Sequence, residues 1–225
     1  MPLHYPHARP PAAGAKAEVA PGVFWLRMPL PFQLDHINLW LLRDGDGWTI
    51  VDTGFATDGV RAVWLQVLAE LDAPVRRLIV THFHPDHLGL ASWLMNETGA
   101  QLWMTTAEFL TAHAVWNEVG GHGARFMVEQ FRQHGLDGER LARFEKRGSG
   151  YRMAVPGLPD YYHRLKAGDA VAVDGRKWRV LIGHGHSPEH MALYCAELGV
   201  VISGDMLLPK ISTNISVFAA TPEAD

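Results

Sequence analysis

The sequence predicts an α/β protein on three observations. Short apolar runs of strand length alternate with a stretch whose apolar residues recur at helical period. One such run, Leu78-Ile79-Val80, feeds directly into a cluster of histidines and an aspartate. A buried strand that ends in polar donors is where α/β proteins place their chemistry. The chain is also 225 residues long and 48% apolar, enough for one sizeable core and better suited to one domain than two.

The elements follow in order. Residues 1–20 open with a Pro-, His- and Ala-rich stretch that lacks the apolar run secretion needs, and they read as a flexible lead-in to a domain over 21–225. Residues 23–27, 37–42 and 48–51 read as strands, with Asp44-Gly45-Asp46-Gly47 as the turn joining the last two. From Thr57, a plausible N-cap, Val60, Val63, Trp64, Val67, Leu68 and Leu71 form one helical stripe. A strand at 77–80, a helix at 88–96 and a strand at 101–104 continue the alternation. Residues 105–166 break it with helical stretches at 107–119, 124–134 and 139–146, followed by Gly- and Pro-rich loops. This segment reads as a helical insertion that returns to cover the site mouth. Most of its aromatic residues suit its own core, and Tyr151, Tyr161 and Tyr162 have the best claim to touch substrate. Strands at 178–182 and 191–195 then flank a second histidine-rich segment.

The first run, His82-Phe83-His84-Pro85-Asp86-His87, packs three histidines and one aspartate into six positions. Imidazole and carboxylate are donors for zinc, iron or manganese. His82 and His84, two apart on an extended segment, point the same way and can share an ion. Asp86 and His87 lie on the next turn and face elsewhere, so two ions about 3.5–4 Å apart fit better than one. Further donors come from Gly183-His184-Gly185-His186-Ser187-Pro188-Glu189-His190 and from Asp205, which ends a short apolar run and is suited to bridge two cations.

These segments, together with Asp52-Thr53-Gly54 at the end of an earlier strand, resemble the metallo-β-lactamase fold superfamily, in the style of its glyoxalase II-like and general hydrolase branch. The resemblance implies a four-layer αββα sandwich. By position, His82, His84 and His186 resemble the ligands of a first metal, Asp86 and His87 those of a second, and Asp205 the bridging carboxylate. His186 is preferred to His184 because His186-Ser187-Pro188-Glu189-His190 matches the family's His-Thr-Pro-Gly-His pattern, with His190 bracing the loop or a ligand. The family places one more histidine well downstream of the bridging aspartate, followed by final strands and a helix. No histidine follows His190 in this sequence, so the sandwich is expected without its C-terminal part.

The implied activity is hydrolysis. Two divalent ions, zinc first with iron or manganese as alternatives, would supply a bound hydroxide that attacks an ester, thioester, lactone or lactam. Asp86 and Asp205 would orient the nucleophile and take up its proton. A small-molecule acyl substrate is expected. A formal net charge of −4 provides no basic field for nucleic acid, and no run approaches the roughly 20 apolar residues of a membrane span. The single cysteine, Cys195, lies in an apolar strand pattern and fits a reducing cytoplasm. Two other readings share these residues: a phosphodiesterase or nuclease, and a non-hydrolytic redox or scaffold member. Di-iron relatives replace the run's second histidine with a carboxylate, where this chain has His84.

Overall fold

In the computed structural model, which describes residues 4–7, 9–148, 150–208 and 210–221, the strand-forming runs assemble into two sheets. The larger contains β1 (Lys16–Ala20), β2 (Val23–Pro29), β3 (His36–Asp44), β4 (Gly47–Val51), β5 (Val75–Ile79), β6 (Gln101–Thr105) and β7 (His163–Leu165), in that spatial order. Pairing is antiparallel from β1 to β4 and parallel from β4 to β7. The smaller sheet is an antiparallel set of β8 (Ala170–Val173), β9 (Arg176–Gly183), β10 (His190–Cys195) and β11 (Val200–Ile202).

Period-two alternation assigns each face of the larger sheet to a separate core. Leu41, Ile50 and Leu78 point toward helix α1 (Asp58–Ala69), where Val60, Trp64 and Val67 meet them, and toward α3 (Ala91–Thr98), which contributes Leu94. Their immediate neighbours Leu42, Val51 and Ile79 face the smaller sheet and pack with Trp178, Val180, Met191, Leu193 and Cys195. Every residue of β4 is therefore buried, as a strand covered on both faces must be. The smaller sheet alternates more openly: Trp178 and Val180 point in, whereas Lys177, Arg179 and Leu181 are exposed. Helices, large sheet and small sheet are thus three successive layers, α, β and β, of the expected four-layer sandwich.

Helix α1 starts where Thr57 accepts a hydrogen bond from the Val60 amide, and Asp58 in its first turn suits the positive end of the helix dipole. The insertion carries α4 (Thr106–Trp116), α5 (Ala124–Gln133), α6 (Gly138–Arg147) and the single turn α7 (Tyr151–Ala154). No helix among the described residues is long and apolar enough to cross a membrane.

The structure departs from the sequence reading in several elements. Residues 16–20, placed in the lead-in, form edge strand β1 against β2. Strands β7 and β8 were not anticipated; the first is three residues long and the second alternates Ala with Val, so neither stands out from its flanks. The helix expected at 88–96 is split into a turn α2 (Pro85–Leu88) and α3, with Pro85 at the first helical position of α2.

Trp64 has no solvent exposure, and its indole N–H donates to the Thr53 carbonyl at 2.7 Å. Trp64→Ala should cost about 3–5 kcal/mol of unfolding free energy in chemical denaturation. A loss below about 1 kcal/mol, the scale of an ordinary surface change, would contradict this packing.

Candidate metal centre

The ends of four strands meet at one edge of the sandwich. β4 runs into Asp52, β5 into Thr81 and His82, β9 into the 184–189 loop, and β11 into Asp205. Parallel pairing of Val51 with Ile79, continued by Asp52 N–H donating to the Ile79 carbonyl, sets Asp52 beside Thr81. Asp52 is buried with a left-handed backbone (φ 63°), which a non-glycine residue holds only when its surroundings over-determine it. Its carboxylate accepts from the Thr81 amide at 2.7 Å, from the Thr81 hydroxyl at 2.9 and 3.0 Å, and from His87 Nδ1 at 2.8 Å.

These bonds fix which ring nitrogens carry hydrogen. The Thr81 hydroxyl gives its proton to Asp52, so its lone pair accepts from His82 Nδ1 at 3.0 Å. His186 Nδ1 lies 2.8 Å from the Asn214 carbonyl, which can only accept. In neutral rings both Nε2 atoms then carry lone pairs, yet they lie 3.2 Å apart, with His84 Nδ1 at 3.0 Å from His82 Nε2. Tetrahedral zinc with nitrogens at about 2.0–2.1 Å spaces them about 3.3 Å apart, close to both separations from His82 Nε2, and the ligand atoms of all three residues lie within 4.8 Å of one another. Burial first, then the neighbouring imidazoles, hold His82 well below the ordinary histidine pKa and His84 down at about 3, which keeps them in the neutral, metal-binding form.

A second donor group adjoins the first. His87 donates through Nδ1 to Asp52, so its Nε2, which is buried and without a hydrogen-bond partner, is the ring atom left to a cation, which must displace any proton there. Asp205 Oδ1 lies 3.4 Å from that atom and Asp86 Oδ2 3.8 Å, while Asp205 Oδ2 is 3.5 Å from His186 Nε2. The two oxygens of Asp205 therefore face both groups. Burial opposes a charge on His87, but Asp52, Asp86 and Asp205 outweigh it and raise its pKa well above the usual value. Burial likewise pushes Asp205 up, yet His87 and the other imidazoles hold it below the usual carboxylate range. Carboxylates that draw a proton onto a buried imidazole form a site that favours positive charge.

All six sequence-predicted donors are thus brought together, as His82 with His84 and His186, and as His82 with His87 and Asp205, beside which Asp86 lies. His190 braces: its Nε2 accepts the Asp205 amide at 3.1 Å, and burial holds its pKa at about 4. Gly204 makes room for it, since a Cβ there would lie 2.6 Å from His190 Cε1 and Nε2. His184 is exposed, with Nδ1 2.8 Å from the Pro188 carbonyl.

Two insertion residues differ from the sequence reading. Tyr151, expected in a loop against substrate, is buried in α7, and its hydroxyl donates to the Phe83 carbonyl at 2.6 Å beneath the first run. Tyr162 donates to the Thr106 hydroxyl at 2.9 Å and stacks on Phe109, while Tyr161 is exposed. Sequence reasoning missed Glu108, a fully buried carboxylate on α4 whose only signal was a lone carboxylate on a mostly apolar helix.

The family model described as the metallo-beta-lactamase superfamily matches residues 33–223. A beta-lactamase domain protein from Burkholderia ambifaria superposes with a TM-score of 0.83 at 49% identity, over 98% of this chain and 66% of that one. A metallo-beta-lactamase family protein from Thermus thermophilus gives 0.77 at 32% identity, over 91% and 65%. A hydroxyacylglutathione hydrolase from Haemophilus influenzae is 27% identical over 176 residues, 78% of this chain and 68% of that protein. The chain spans 59% and 49% of the length of two further curated relatives.

Asp52 holds both Thr81 and His87, so Asp52→Asn replaces an acceptor of four short contacts with a group that accepts at one end only. Metal affinity should fall about 10–100-fold, the usual effect of losing an outer partner, in competition with a chromogenic chelator. Unchanged affinity would remove Asp52 from this role.

Proposed function

Because the chain belongs to the metallo-β-lactamase superfamily, we propose that it is a dinuclear metal-dependent hydrolase of small acyl compounds. The observation that carries this reading is that His84 Nδ1 and His186 Nε2 lie 3.0 and 3.2 Å from His82 Nε2, beside the buried Nε2 of His87. We assign His82, His84 and His186 to one divalent cation, Asp86 and His87 to the other, and Asp205 to both, with zinc as the first choice of metal. When bound, such ions polarise the scissile group and bring the pKa of water toward neutrality.

The remaining work falls to this chain's own groups. Asp205, part-buried and facing both donor sets, keeps its carboxylate ionised and can accept a hydrogen bond from an attacking water. Asp86, at the rim beside His87, can orient that water. No serine or cysteine nucleophile is required, and Cys195 is fully buried in the inter-sheet core. Among acyl substrates we favour a thioester, supported by the hydroxyacylglutathione hydrolase among the relatives. Its lone cysteine leads us to assign the protein to a reducing cytoplasm.

Titration of demetallated protein with zinc should show saturable uptake, and thioester cleavage, followed by release of free thiol, should appear only with metal. Asp205→Asn should lower turnover by more than about 100-fold, beyond what an outer partner contributes, with the far-UV spectrum unchanged. Most of the activity surviving in that variant would rule out the bridging role, and metal-independent cleavage would overturn the reading.

A further inference from the structure

The two loops that carry the first donor set lie far apart in sequence, and one buried side chain on the insertion holds both. Glu108 Oε2 accepts the Phe83 amide at 2.9 Å, between His82 and His84. Its Oε1 accepts the Ser187 hydroxyl at 2.7 Å and the Glu189 amide at 2.7 Å, immediately after His186. The tie is reciprocal: Glu189 Oε2 accepts the Ala107 amide in the first turn of α4 at 3.3 Å, and the Thr105 hydroxyl donates to the Glu189 carbonyl at 3.2 Å. Glu108 has no solvent exposure, so this carboxylate gives up its hydration for three protein donors, two of which are backbone amides that can only donate. The Phe83 carbonyl is fixed in turn by Tyr151.

We infer that Glu108 is a positioning residue that clamps the two ligand loops together and sets the spacing of His84 and His186, so that the helical insertion governs the geometry of the metal site. This inference rests on the metal reading given above. It goes beyond that reading by making a residue outside the donor set a determinant of metal retention. Glutamine at this position cannot substitute. Its amide oxygen serves one loop, and its NH₂ then faces an N–H donor of the other.

The test uses the full chain loaded with zinc or cobalt(II), in wild type, Glu108→Gln, Ser187→Ala, the double variant, and Val67→Ala as a core control remote from the site. Release of metal to a chelator and the visible bands of the cobalt form are measured for each. Glu108→Gln should release metal about 10–100-fold faster, the range for an outer partner, and shift the cobalt bands. Ser187→Ala should act in the same direction but more weakly, and the double variant should be no worse than Glu108→Gln, since one clamp is lost once. Val67→Ala, destabilised without touching the loops, should keep wild-type release and bands. Wild-type release and bands in Glu108→Gln would overturn the inference, as would a Val67→Ala control that reproduces the Glu108→Gln effect. If Glu108→Gln does not fold, Ser187→Ala decides alone, and wild-type release there overturns the clamp. A wild-type chain that takes up no cobalt instead overturns the metal reading itself.

Discussion

His82 and His186 hold their Nε2 atoms 3.2 Å apart, and the hydrogen of each ring is committed at the other nitrogen, to Thr81 and to Asn214. Lone pairs brought that close in a buried site repel one another unless a cation lies between them. The rest of the centre follows from that constraint. Four other imidazoles surround His82, with ring centroids between 4.0 and 4.9 Å away, and this crowding, after burial, keeps His82 itself neutral. Asp52, Asp86 and Asp205 supply the negative charge that makes the same volume hospitable to positive ions.

The fold assembles this constraint from pieces that are individually ordinary. Parallel pairing of β4 with β5 puts a strand-end aspartate against a strand-end threonine. Antiparallel pairing of β10 with both β9 and β11 returns His190 and Asp205 to the same edge. The two sheets pack through a core of Val, Ile, Leu and Trp side chains, so the halves of the site are held by burial rather than by the donors themselves. Glu108 adds a direct tie from the insertion to both ligand loops, which makes that segment part of the site's support.

The donors were legible in the sequence because their chemistry is local: His82, His84, Asp86 and His87 occupy one short run after an apolar strand, and His186 and Asp205 also sit at strand ends. The groups that aim them were less legible. Asn214 reaches His186 through a backbone carbonyl, which no side-chain pattern encodes, and Glu108 finds its three donors only through tertiary proximity. Tyr151 was misread because glycines beside it mark a loop, whereas its ring is buried against Phe83 and its hydroxyl is spent on a backbone oxygen. Strands β1 and β8 are rich in alanine, a weak strand former, and owe their conformation to their neighbours.

The central claim is that the convergent donors bind two metal ions. Anomalous diffraction recorded on either side of the zinc absorption edge, from crystals of zinc-loaded protein, tests it most directly. The account predicts two anomalous peaks about 3.5–4 Å apart. One should lie among His82, His84 and His186, the other among Asp86, His87 and Asp205, with Asp205 reaching both. Zinc-loaded crystals with no anomalous peak in this cluster, or with zinc bound only elsewhere on the molecule, would contradict it.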